Sequence, residues 1–451
     1  MIFSLGTLSF LLTQDAYSLS VNFGRLIILI SRHAKIYSKL MPFLQSHTLS
    51  ALKVRNFRLF WTGLINQVLG QHMYQFSLGW LAFDLTGSQS DLSLIQLFAF
   101  LPQFSITLLG GALADRFDPR RLIQLAQSLS VISVVSVGFT TWFGLLEFWH
   151  LACASFVFGL VNGIDEPSRV SFFPRLLPKE QLASGIPLVS MAFGTSRIVA
   201  PSIAGFIIAA IGAPAVFLFS ALGLSTMITV LFWVKAKTVN TQPSGSLVRN
   251  IIESFQHIQG LEVFSKVIIA ALLNATLAMG YIHILPVLAK VVLKADAMGL
   301  GLLASGVGIG ALCGLFSYPW FQSRVTPRNL MVYALSAYCF ALIGVALSQW
   351  FWVSFVLLIL VGLGQANFLT SCQVALQTHV EDHYRGRVMA MFSLVWSLVY
   401  LSGFLLNFTG SLIGPQRALL VNALIVLTYV WLSMARSNAL KTMTWVQKQS
   451  A

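Results

Sequence analysis

Residues 111–121 read Gly111-Ala-Leu-Ala-Asp115-Arg116-Phe-Asp118-Pro119-Arg120-Arg121. Five of these eleven residues are charged, in a chain where only 9% are. The runs on either side, 92–114 and 122–144, are apolar, and each is as long as the roughly 20 residues a helix needs to cross a bilayer. A short charged segment between two such runs is the pattern of a membrane protein turning at the bilayer surface.

Working outward, the alternation continues. Apolar runs fall at 59–83, 92–114, 122–144, 149–173, 186–210, 213–234, 264–289, 298–322, 329–348, 351–377, 388–412 and 416–435. Hydrophobic residues make up 57% of the chain. A soluble domain carries about 25% charged residues, so lipid must cover much of this surface. The expected fold is an all-α membrane protein of twelve transmembrane helices in two six-helix bundles.

The connecting segments give an orientation. After residue 50, twenty Lys and Arg fall in one set of alternate loops and three, Lys290, Lys294 and Arg417, in the other. By the positive-inside rule both termini are cytoplasmic, and the protein belongs in the inner or plasma membrane. The net charge of +14 resides in these loops, which argues against a nucleic-acid partner.

The stretch 235–262 holds Gln242-Pro-Ser-Gly-Ser246 and reads as a flexible cytoplasmic linker. It divides a first bundle, 51–234, from a second, 263–436, with a cytoplasmic tail at 437–451. Leu177–Ile186 and Val380–Met389 precede equivalent spans at an offset of 203 residues, a weak internal echo of the kind a six-helix repeat leaves. Residues 1–50 form an extension with two readings: a basic segment around Arg25, Arg32, Lys35 and Lys39 lying on the membrane surface, or a non-native start with translation beginning at Met41.

Cys153, Cys313, Cys339 and Cys372 sit in apolar runs without metal-ligand spacing, so no metal and no cofactor is expected. No Walker-type phosphate loop, His-Glu-x-x-His or Gly-x-Ser-x-Gly occurs, which argues against an ATP-driven pump or an enzyme.

Within the spans, polar residues are costly and so informative. Gln67, Gln71 and Gln75 recur at i, i+4 and i+8 with His72 beside them. Asn274 and His283 fall in span seven, Gln365 and Asn367 in span ten. They line a central cavity or form interhelical hydrogen bonds. Gly194-Thr-Ser-Arg197-Ile-Val-Ala-Pro201-Ser-Ile-Ala-Gly205 places a proline kink and an arginine inside span five. Arg197 is either a substrate contact or a structural polar contact. Asp165, Glu166, His72 and His283 are the candidates for carrying a coupling proton.

The loop at 111–121 resembles the signature loop of the major facilitator superfamily, Gly-x-Leu-Ala-Asp-Arg-x-Gly-Arg-Arg, with Gly111, Asp115, Arg116 and Arg120 at matching positions and Arg121 following. Asp118 replaces a glycine of that pattern and Pro119 a basic residue. Asp tolerates a left-handed turn, so the loop shape is expected to persist. Span five resembles the superfamily's antiporter motif through Gly194, Arg197, Pro201 and Gly205, with Ala200 in place of its central glycine. Arg55-Asn-Phe-Arg58, Trp80-Leu-Ala-Phe-Asp84 and Arg385-Gly-Arg387 are similar to the drug and siderophore exporter branch that includes the enterobactin exporter and the macrolide efflux proteins. The resemblance spans roughly 50–436. It implies a conformational latch at 111–121 and a monomeric secondary transporter that exports a small amphipathic molecule in exchange for protons. The alternatives are an uptake permease, or a transport-inactive sensor or partner.

Overall fold

The computed structural model describes residues 50–178, 181–234, 262–380, 382–441, 443 and 445. The expectations for the extension before residue 50 and for the linker through residue 261 lie outside them.

The first half comprises α1 (Arg55–Thr86), α2 (Gln89–Arg116), α3 (Pro119–Trp142), α4 (Phe148–Phe172), α5 (Leu182–Ala210) and α6 (Ala213–Trp233). In the second half, α7 begins as Glu262–Leu273 and continues through π-helical Asn274–Ala278, helical Tyr281–Val287 and π-helical Leu288–Val292. Then follow α8 (Ala297–Gln322), α9 (Pro327–Leu347), α10 (Phe351–His379), α11 (Asp382–Ile413) and α12, Pro415–Tyr429 closed by π-helical Val430–Met434. These twelve helices coincide with the twelve apolar runs. By length and composition, ten of them can cross a membrane. The other two are α1, which is 32 residues long and carries the glutamine series, and α2, whose side chains from 108 to 116 fall outside the described residues.

Local chemistry starts and stops the helices. Asp118 is the N-cap of α3: its carboxylate accepts the Arg120 backbone N–H at 3.0 Å, and Pro119 occupies the first helical position. This corrects the expected left-handed turn, because Asp118 is extended at φ −63°, ψ 114°. The two departures from the signature loop are thus a cap and its proline. Asp296 caps α8 and Thr326 caps α9 in the same way, at 2.8 and 3.4 Å. Gly212 and Gly414, at φ 105° and 92°, turn α5 into α6 and α11 into α12, so the same left-handed device occupies equivalent places in the two halves.

The packing repeats as well. In the first half α1 lies on α5 and α6, α2 on α4, and α3 on α4 and α6. In the second half α7 lies on α11 and α12, α8 on α10, and α9 on α10 and α12. Two seams join the halves, α2 against α11 and α5 against α8. Adding six to each label exchanges the seams, as a two-fold relation between six-helix units requires.

The α5–α8 seam is close. A Cβ on Gly205 would lie 2.5 Å from the Ala297 carbonyl oxygen, and one on Gly301 would lie 2.6 Å from that of Pro201. Small residues are what let two backbones approach this far in a membrane. The Ser202 and Ser305 hydroxyls pair across the seam, and Ser305 also donates to the Ile198 carbonyl at 3.0 Å.

Exposed tryptophans mark both ends of the bundle: Trp142, Trp149, Trp350 and Trp352 at the end bearing the short loops, and Trp233 and Trp320 at the other. Such belts sit at the lipid headgroup level. Beyond α12, Leu440 and Met443 are buried and the Trp445 indole donates to the Val325 carbonyl at 2.7 Å, so the start of the tail is docked on the α8–α9 connection.

Candidate functional site

The first half contains a buried charge. Asp165 on α4 is 1% exposed and accepts from the Arg169 guanidinium one turn along, from Gln67 Nε2 at 3.1 Å and from Gln127 Nε2 at 3.0 Å. The Arg169 guanidinium also lies 4.9 Å from the Phe193 ring centre on α5. A buried carboxylate is tolerated when paired and hydrogen-bonded in this way. The node ties α1, α3, α4 and α5 together. It also corrects the placement of Gln67, which is fully buried inside the first half and does not line the path.

The other two glutamines do different work. Gln71 donates to Asn162 on α4, and Asn162 donates to the Phe158 carbonyl at 2.9 Å. A small cavity lined by Gln71, Tyr74, Gln127 and Asn162 lies between this pair and the Asp165 node. Gln75 donates to the Tyr400 hydroxyl of α11 at 2.9 Å, crossing from one half to the other. His72 is partly exposed and its Nδ1 lies 2.8 Å from the Val68 carbonyl. A carbonyl only accepts, so Nδ1 carries the hydrogen and Nε2 is left as an acceptor.

Arg197 lies in the middle of α5, and its guanidinium sits 5.0 Å from the Trp396 ring centre on α11. Among the described residues no carboxylate stands at ion-pair distance from it. The Asp165 carboxylate is occupied by Arg169. Glu166, next in sequence, makes no ion pair among the described residues.

The second half supplies an aromatic wall. Tyr281 donates to Gln365 Oε1 at 3.1 Å and packs on Tyr338 with ring centres 6.1 Å apart. The Tyr400 ring lies 5.4 Å from that of His283 and 6.2 Å from that of Phe158 on the first half. His283 is buried with Nε2 unpartnered among the described residues. Two candidates fall away from the interface. Asn274 is fully buried in the first π segment of α7, and Asn367 is buried against the α8 position of Gly314, where it donates to the Leu363 carbonyl at 3.0 Å. Both belong to the interior of the second half, which corrects their assignment to the cavity.

In the antiporter-like segment, Pro201 and Gly205 form the tight seam with α8, whereas a Cβ on Gly194 would meet nothing within 4 Å. In the latch segment, the side chains of Gly111, Asp115 and Arg116 lie outside the described residues. Arg120 donates to the Phe232 carbonyl at 3.1 Å, joining the start of α3 to the end of α6, and Arg121 is exposed.

Among the described residues, polar contacts between the halves include Gln75 with Tyr400, Ser202 with Ser305, and Asp84 with Lys290, the last at the end with the short loops. Lys290 also lies 5.8 Å from the Trp80 ring centre. Trp396, Tyr400 and Gln127 escape the reading of the sequence. Gln127 was open to the rule that picked out Gln67, an amide inside an apolar run. The two aromatics carry no contrast with their surroundings.

The family model described as transmembrane secretion effector matches residues 46–447. The chain is 23% identical over 382 residues to the staphyloferrin A transporter of Staphylococcus aureus, covering 83% of this chain and 94% of that protein. It is 25% identical over 346 residues to the multidrug efflux pump Tap of Mycobacterium tuberculosis, covering 72% and 78%. Among solved structures, a bacterial homolog of the human lysosomal transporter Spinster, inward-facing and unoccupied, superposes with a TM-score of 0.65 at 14% identity, covering 84% of this chain and 97% of that one.

Proposed function

The chain belongs to the transmembrane secretion effector family of the major facilitator superfamily, and from that premise we propose that it exports a small amphipathic molecule by alternating access, in exchange for protons. The observation that carries this reading is the mid-depth meeting of the halves, where Arg197 of one lies against Trp396 of the other and Gln75 donates to Tyr400. In alternating access, a site at the interface of two repeats is exposed first to one side and then to the other. The drug and siderophore relatives support a small organic cargo.

With both termini cytoplasmic, the contacts at Asp84–Lys290 and Ser202–Ser305 lie toward the outer side and hold it closed. Cargo then enters from the cytoplasm, the halves rock about the α5–α8 and α2–α11 seams, and the outer contacts part. The segment at 111–121 acts as the latch for this motion, and the stretch through residue 261 links the halves. Glu166 is the coupling group this arrangement favours over Asp165. It stands at the interface without an ion-pair partner, whereas Asp165 is held by three donors.

The test is transport in everted membrane vesicles, with substrates taken from a panel of drugs and siderophores. The reading expects uptake into everted vesicles driven by an imposed pH gradient and abolished by a protonophore. Uptake that survives collapse of the gradient would overturn proton exchange, and transport only in the opposite sense would overturn export.

A further inference from the structure

Arg197 is the sixteenth residue of the 29-residue α5, about 22 Å along it from Leu182 at 1.5 Å per residue. A cation at such depth costs about 2.5–3.5 kcal/mol even on translocon scales. The other span arginine, Arg169, meets that cost with the Asp165 carboxylate. Arg197 has no such partner, and it donates no hydrogen bond to any described residue. A guanidinium has five N–H donors in a planar fork and no acceptor. Arg197 is partly exposed, and its guanidinium stands where the two halves meet, against Trp396 of α11.

The surroundings add aromatic rings and a free donor. Trp396 offers a ring to the guanidinium at 5.0 Å, a contact that leaves the edges of the fork free. Gln75 Nε2 donates to the Tyr400 oxygen, so the Tyr400 O–H is itself free to donate. Tyr281, on the second half, spends its own proton on Gln365. Glu166 makes no ion pair with Arg197. A free guanidinium fork, a free phenol and an indole face between two moving halves suit one chemistry, an oxyanion attached to a planar apolar body.

We propose that the cargo carries a carboxylate or similar oxyanion that docks on the Arg197 fork, with its apolar part against Trp396 and Tyr400. This assignment rests on the transport reading above and narrows its substrate class. It also gives the unpaired arginine its missing counter-charge, since Arg–carboxylate pairs are commonly bidentate.

The test uses two dyes that share a ring system and differ in charge, fluorescein as the anion and rhodamine 123 as the cation. Binding to purified protein in nanodiscs is followed by fluorescence anisotropy. The wild type is expected to bind fluorescein at least about tenfold more tightly than rhodamine 123. Arg197→Gln should weaken fluorescein by about tenfold or more, while Arg197→Lys, which keeps the charge and loses the fork, should fall between. Thermal melting of each variant checks folding, and the dye comparison on the wild type stands even if a variant fails to fold. Tighter binding of rhodamine 123, unchanged fluorescein binding by a folded Arg197→Gln protein, or no saturable fluorescein binding would each overturn the proposal. Vesicle transport separates this from the export reading. Gradient-driven transport of rhodamine 123 alone sinks the anion site and leaves export standing. Fluorescein binding without transport of either dye does the reverse.

Discussion

The two halves share one helix plan and fill it with different chemistry. The first half contains a buried ion pair, Asp165 with Arg169, braced by two glutamines and an arene. The interior of the second half, among the described residues, shows no ion pair and relies on aromatic rings and single amides such as Gln365, Asn367 and Asn407. The same backbone packing is therefore compatible with two ways of satisfying polar groups in a membrane. A charged node fixes four helices of one half, and the other half presents rings to a shared interface. The difference places the ionic chemistry inside the first half and brings the aromatic chemistry of the second half to the interface.

The strongest way to break this contrast is to remove its node. Asp165→Ala leaves Arg169 buried and uncompensated, which typically costs about 3–5 kcal/mol. Gln365→Ala, its counterpart on the aromatic wall, removes one neutral hydrogen bond and should cost about 1 kcal/mol. Thermal melts in detergent check both, and a melting curve for Asp165→Ala no lower than that of Gln365→Ala would erase the distinction.

A second variant probes the seam that both halves share. Gly301→Val directs a side chain at the Pro201 carbonyl, which a Cβ there already meets at 2.6 Å. Overpacking of this kind costs about 1–3 kcal/mol. The expected outcome is a lower melting temperature with transport reduced further than stability alone would explain. Normal transport would remove the seam from the account.

How much of this was legible in the sequence follows from where contrast existed. The spans, the charged turns and the capping residues stand out against an apolar background, so all twelve helices were found within a few residues. The glutamine series misled in part. A step of four residues advances about 40° around a helix beyond a full turn, so Gln67 and Gln75 differ by about 80°. That rotation turns Gln67 onto Asp165 and Gln75 onto Tyr400. The pairing of Asp165 with Arg169 was visible as an i, i+4 spacing, but which arginine would claim the carboxylate was decided by α5 placing Arg197 against α11 instead. Trp396 and Tyr400 lie in an apolar run, and only packing reveals that they meet the first half.

The smallest expected effect is at the outer end. Asp84 and Lys290 are roughly half exposed, and exposed ion pairs contribute about 0–1 kcal/mol. Asp84→Asn should leave the melting temperature nearly unchanged, within about 2–4 °C. A large drop would mean that the outer closure is a structural brace and not a contact made and broken in each cycle.

That mildness makes the same pair the place to test whether the halves move. With Cys153, Cys313, Cys339 and Cys372 replaced by serine or alanine, Asp84→Cys and Lys290→Cys are introduced together and joined by oxidation or a short bis-thiol reagent. If the halves part at this end in every cycle, the cross-linked protein loses transport in everted vesicles, and reduction of the disulfide restores it. Full transport by the cross-linked protein would contradict alternating access about this interface.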